Sequence, residues 1–118
     1  MPLIAVTTSA PPPPPADQHA LMLELSRAVA EGLDKPEDYV MTSLQAGVPM
    51  TFAGTDEPVC LGDLRNIGTL TAEQTAALSE RLCGLLSSSL GVSAKRIYIG
   101  FTDVQDHLWG WDGRTFAD

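Results

Sequence analysis

The order of secondary-structure signals repeats in this chain, and that repeat limits its fold more than any other feature. Residues 3–45 read strand, helix, strand, and residues 58–102 read the same way. Each helical pattern runs to a glycine, Gly32 or Gly91, followed seven residues later by a tyrosine that opens a strand, Tyr39 or Tyr98. A lysine, Lys35 or Lys95, stands in each intervening turn. A strand–helix–strand unit of this size lays two parallel strands side by side under one right-handed crossover helix. Two such units predict an α+β fold in a single domain over residues 1–118, with a four-stranded mixed sheet and two helices on one face.

The elements follow from local chemistry. The first strand is expected over Leu3–Thr8. Pro11–Pro15 is a short polyproline II run; without a basic flank it reads as a stiff loop entering a helix rather than as a ligand for a proline-binding module. Asp17 is the expected N-cap, Leu21, Leu25, Ala28 and Val29 share one helical face, and Gly32 is the expected stop. A strand is expected over Tyr39–Gln45. A short strand and loop follow in VPMTFAGTDEP, and another strand in VCLGDLRNIG. Thr71 and Gln74 have capping-box spacing. Ala77, Leu78, Leu82, Leu85 and Leu86 form the stripe of the second helix, which Gly91 ends, and KRIYIGFT is the last long strand. LIAV and RIYIGF read as apolar on both faces, and such strands are covered on both sides. Two helices cover only one face, so the other is expected to meet another subunit.

Composition narrows the function. With 118 residues, 44% of them hydrophobic, the chain can build a core without metal or disulfides. A net charge of −8 argues against nucleic acid and against anionic membrane as partners. No stretch has the length of a transmembrane helix and no signal peptide is visible. Cys60 and Cys83 form no CxxC and the two histidines are far apart, so no metal site is expected. A reducing, cytoplasmic compartment is the default expectation.

The opening MPLIAV places an apolar strand at the very terminus. Initiator methionine is commonly removed before a small residue, which would leave Pro2 with a free secondary amine. With Met1 retained, the Pro2 nitrogen is an amide without basicity. Burial and a nearby lysine both disfavour the ammonium form, and a neutral, positioned amine is a general base. A crossover helix runs antiparallel to its strand, so the turn carrying Lys35 returns to the edge of the sheet where Pro2 begins. Lysine and amine at one edge suit an anionic carbonyl acid. Taken alone, Pro2 also reads as a stiff strand start, Lys35 as a solvated turn residue, and Tyr39 and Tyr98 as ordinary strand aromatics.

In order and spacing, MPLI, GLDKPEDYV, TFAGTDEPVCLGDLRNIG, LCGLLSSSLGVSAKRIYIGF and GWDGRTFA resemble the macrophage migration inhibitory factor and D-dopachrome tautomerase family, within the amino-terminal-proline tautomerase superfamily. The resemblance implies a homotrimer with sites between neighbouring subunits and no cofactor. It implies that Pro2 is the catalytic proline and Lys35 the pocket lysine. The Ile67 N–H would meet the substrate carboxylate, and Tyr98 would come from the adjacent subunit. Tyr39, Trp111 and Phe116 would be aromatics around the pocket. The implied activity is cofactor-free keto–enol tautomerisation of phenylpyruvate-like α-keto acids, with dopachrome-type substrates as a further class.

Three positions depart from the family pattern. Gly100 replaces an asparagine that meets a phenolic hydroxyl in mammalian members, Thr102 replaces a tyrosine near the central channel, and Val59 and Gly62 replace the cysteines of a CxxC. The alternative reading is a cytokine-like receptor-binding protein with a vestigial pocket, reached by leaderless secretion. A third, dehalogenation or decarboxylation, would call for an arginine pair about the proline, where only Arg65 stands near Ile67.

Overall fold

The structure is a computed structural model and describes all 118 residues. It realises the repeat. Strand β1 (Pro2–Thr8), helix α1 (Pro15–Leu33) and strand β2 (Met41–Gln45) form the first unit. Strand β3 (Cys60–Ile67), helix α2 (Ala72–Leu90) and strand β4 (Ile97–Val104) form the second. Strands β5 (Gly110–Trp111) and β6 (Arg114–Thr115) make a small terminal hairpin. The sheet order is β2-β1-β3-β4. Strands within each unit are parallel, and the units meet through the antiparallel β1–β3 pair. No helix is long and apolar enough to cross a membrane.

Side chains alternate across a strand, and β1 alternates strictly. Pro2, Ile4, Val6 and Thr8 are buried, whereas Leu3, Ala5 and Thr7 are half-buried. Ile4, Val6 and Leu64 face a core filled by Leu21, Leu25 and Val29 of α1 and Leu78, Leu82 and Leu86 of α2. Each buried Leu, Ile or Val contributes about 1.5–3 kcal/mol. The stripe of α2 is narrower than its sequence suggests: Ala77 is exposed and Leu85 half-buried. The expectation of two fully apolar faces needs correction. The second face is mixed, with exposed Met41, Leu61 and Tyr98 beside Asp63, Arg65 and Thr102.

The element boundaries depart from the sequence reading in four places. Helix α1 begins at Pro15 and not with Asp17 as its cap; Pro14 stands at the N-cap position and Asp17 lies in the first turn. Proline at the first helical position needs no N–H partner and has its φ already set. Gly32 does not stop α1. The helix runs to Leu33, and Asp34 at φ 52° closes it in the left-handed region, which Asp tolerates better than most residues. Tyr39 does not open β2 but lies in a 3₁₀ turn over Glu37–Tyr39, with the Val40 N–H donating to the Glu37 carbonyl at 3.0 Å. The short strand expected in residues 48–58 is a single bridge between Phe52 and Thr55. The second unit follows its signals closely: Thr71 and Gln74 form a complete capping box, and Gly91 at φ 69° ends α2.

Gly32 is glycine because α2 leaves no room for more. A Cβ there would stand 2.5 Å from Leu78 Cδ2 and 2.9 Å from its Cγ. Gly84, inside α2, has nothing within 4 Å of its would-be Cβ. Alanine gains about 1 kcal/mol over glycine in a helix, and overpacking a core costs about 1–3 kcal/mol. Gly32→Ala is therefore expected to lower the urea midpoint of unfolding while Gly84→Ala raises it. Equal shifts in the same direction would show that α1 and α2 are not in contact at Gly32.

Candidate active site

The start of β1 is locked into the sheet. Pro2 stands opposite Asn66 of β3 and is buried on the helix-covered face. Because α1 returns antiparallel to β1, its C-terminal turn brings Lys35 to this edge. The Lys35 ammonium donates to Asn66 Oδ1 and to the Ile67 carbonyl, each at 2.8 Å. Lysine has three N–H donors, so two bonds within the protein leave one for the chain terminus or an incoming anion. The effect on the terminus is large. The Met1 α-amino group is lowered from its ordinary 8.0 to about 6, first by burial, then by the Lys35 charge and its hydrogen bond. The Met1 amine is mostly neutral at pH 7.

A cavity of about 550 Å³ opens from this edge, lined by Met1, Pro2, Tyr39, Trp111 and Phe116 among others. Its aromatic wall is assembled from distant parts of the sequence. The Tyr39 ring meets Trp111 edge-on at 6.2 Å, and Trp111 stacks on Phe116 at 6.0 Å with 15° between planes. The terminal hairpin makes this possible. Asp112 and Gly113 turn in the left-handed region, as a two-residue hairpin loop demands. The Phe116 N–H then donates to the Trp109 carbonyl at 3.2 Å. Apolar walls with a few polar groups at one end are the usual form of a small-molecule site.

The expected residues divide into three groups. Pro2, Tyr39, Trp111 and Phe116 share the cavity. Lys35 and Ile67 stand behind it: Lys35 is tied through Asn66 to the level of Pro2, and Ile67 lines a shallow adjoining depression with Val104. Tyr98 is elsewhere. It pairs with Leu61, whereas Pro2 pairs with Asn66, five residues along β3. At ~3.3 Å per residue that is about 17 Å. One chain alone does not bring Tyr98 to its own cavity.

Three residues the sequence reading did not assign also belong to the edge. Asn66 is 3% exposed and its Oδ1 accepts the hydrogen bond from the lysine ammonium. Arg65 and Asp38 are the charged residues of the cavity wall. Arg65 Nε lies 3.5 Å from Asp63 Oδ2, both on the open face of β3. The period-two pattern of β3 carries this signal, since neighbours Arg65 and Asn66 must point to opposite faces. The thiols are not poised for chemistry. Burial, then the neighbouring Cys83, pushes Cys60 up to about 11, and burial raises Cys83, so neither presents a thiolate at neutral pH.

Known proteins match this chain over its whole length. The sequence profile described as macrophage migration inhibitory factor (MIF) matches residues 1–117. The mouse protein named macrophage migration inhibitory factor is 35% identical over 117 residues, covering 99% of this chain and 100% of the relative. A crystal structure of a macrophage migration inhibitory factor homologue from Prochlorococcus marinus is 52% identical, with a TM-score of 0.89, over 97% of this chain and 98% of that one. The macrophage migration inhibitory factor of Toxoplasma gondii superposes with a TM-score of 0.90 at 29% identity, over 96% of this chain and 98% of that one. With its duplicated strand–helix–strand fold and its amine-bearing sheet edge, the chain belongs to the macrophage migration inhibitory factor family.

Proposed function

We propose that the protein is a cofactor-free keto–enol tautomerase of phenylpyruvate-like α-keto acids, working as a homotrimer with Pro2 as general base after removal of Met1. The observation that carries this reading is the placement of Pro2 in the wall of an aromatic cavity, with Lys35 tied through Asn66 to its level, at an edge where the Met1 amine is lowered. The Pro2 amine takes a proton from the carbon beside the substrate carbonyl and returns it to the oxygen, or the reverse. One proton moves within one molecule, so no redox partner enters. Lys35 and the Ile67 N–H hold the carboxylate and offset charge on the enolate. Tyr39, Trp111 and Phe116 bind the aromatic ring. The trimer is supported by the open sheet face, where Met41, Leu61 and Tyr98 are exposed, and it offers Tyr98 of one subunit to the cavity of the next.

A phenylpyruvate tautomerisation assay on protein of verified N-terminus tests the reading. Turnover by the processed form supports it. An inactive processed form would overturn it and leave the receptor-binding alternative.

Substrate preference follows from Gly100. It lies two residues after Tyr98 on the same face of β4, and nothing stands within 4 Å of a Cβ built there. A phenolic hydroxyl brought there meets no side chain, and an unpaired hydroxyl costs about 1–3 kcal/mol. Phenylpyruvate is therefore expected to be preferred over hydroxyphenylpyruvate by about five- to a hundredfold in kcat/KM, with Gly100→Asn narrowing the gap. Equal kcat/KM for the two acids in both proteins would remove Gly100 from specificity.

A further inference from the structure

The most elaborate hydrogen-bonding device in the molecule lies outside the cavity. The Arg96 guanidinium, whose side chain is 13% exposed, donates to four backbone carbonyls of one loop. Its Nε reaches Pro58 at 2.9 Å, Nη1 reaches Phe52 at 3.1 Å, and Nη2 reaches Glu57 at 2.9 Å and Thr55 at 3.5 Å. It also lies over the Phe52 ring, 5.1 Å from its centre, a cation–π arrangement. The loop it holds is strained. Ala53 at φ 53° and Gly54 at φ 75° make a tight reversal between Phe52 and Thr55. A non-glycine residue in the left-handed region persists only where its surroundings enforce it.

The reversal presents the Phe52 ring edge-on to Tyr98, with centroids 5.1 Å apart and planes at 74°. Tyr98 is 65% exposed, so its own chain otherwise leaves the ring free to turn. Four hydrogen bonds, a cation–π contact and a strained turn thus end in one exposed aromatic ring with a fixed orientation. We propose that Arg96 is a positioning residue that, through Phe52, holds Tyr98 in the orientation required by the site of an adjacent subunit. The inference rests on the reading above, in which Tyr98 serves a neighbouring cavity.

A double-mutant cycle on the full-length, Met1-processed protein tests it. Arg96→Met, Tyr98→Ala and the double variant are assayed with phenylpyruvate, and sedimentation equilibrium compares their assembly state with that of the parent. Arg96→Met is expected to lower kcat/KM by about three- to tenfold, mostly through KM, and to have less than about a twofold effect when Tyr98 is already alanine. Phe52→Leu, which leaves the backbone carbonyls to Arg96 and removes only the ring, is expected to reproduce the effect and carries the test if Arg96→Met fails to fold. The same loss in both Tyr98 backgrounds, or no loss with Tyr98 present, overturns the inference. If Tyr98→Ala itself leaves kcat/KM unchanged, then the assignment of Tyr98 to a site fails first, and the inference falls with it.

Discussion

Protein that retains Met1 is expected to turn over phenylpyruvate at least about a hundredfold more slowly than protein beginning at Pro2. Retention has two consequences. The Pro2 nitrogen becomes an amide and loses its basicity. The Met1 amine, although lowered to about 6, lies one residue before the position that the sheet fixes opposite Asn66. Positioning is much of general-base catalysis, because the base must lie within hydrogen-bond reach of the proton it takes. Pro2→Gly, processed to a primary amine, is expected to keep part of the activity. Intact mass and initial rate measured on the same samples decide the matter, and equal rates for the two N-termini would exclude Pro2 as the base.

Lys35→Ala is expected to change three quantities together. A hydrogen bond to a charged group contributes about 1.5–3 kcal/mol, so kcat/KM is expected to fall by roughly ten- to a hundredfold. Asn66, 3% exposed, loses the donor to its Oδ1, and the Ile67 carbonyl loses the same donor. An unsatisfied buried polar group costs about 1–3 kcal/mol, so the melting temperature is expected to drop as well. The third change is in pH dependence. Burial first, then the Lys35 charge and hydrogen bond, lower the Met1 amine; a Pro2 amine at the same edge meets the same lysine, so removal of Lys35 is expected to raise that pKa. The active form is the neutral amine, which is present above its pKa. The acid limb of kcat/KM against pH therefore moves to higher pH. Lys35→Met separates the effects, since it restores packing volume but not charge: stability recovers in part and the pH profile does not. An unmoved profile with unchanged kcat/KM would remove Lys35 from the site.

The repeat and the antiparallel return of a crossover helix were enough to place Lys35 beside Pro2, and the ion–amide contact through Asn66 bears out that juxtaposition. The capping box at Thr71 and the glycine end of α2 were legible because both are local hydrogen-bond patterns. The corresponding end of α1 was not. Gly32 carries the same signal as Gly91, yet the close approach of Leu78 keeps it inside the helix and passes the left-handed cap to Asp34. That contact joins residues 46 positions apart, and no local pattern contains it. The start of α1 misled for a related reason: Asp17 has the chemistry of a cap, but Pro15 already has the φ of a first turn.

The sequence by itself determined the fold class and the pairing of a basic turn with the chain terminus. These follow from periodicity and chain direction, which are properties of neighbouring residues, whereas the aromatic residues of the cavity were implied only by the family resemblance. Only the tertiary structure decided which groups meet. It set Asn66 and the Ile67 carbonyl under Lys35, brought Trp111 between Tyr39 and Phe116, and offset Tyr98 from its own Pro2 by about 17 Å in the strand direction. It also tied Arg96 to four carbonyls of a loop around forty residues earlier. Strand register and long-range side-chain contact settle such distances, and both depend on how the whole chain buries its apolar face.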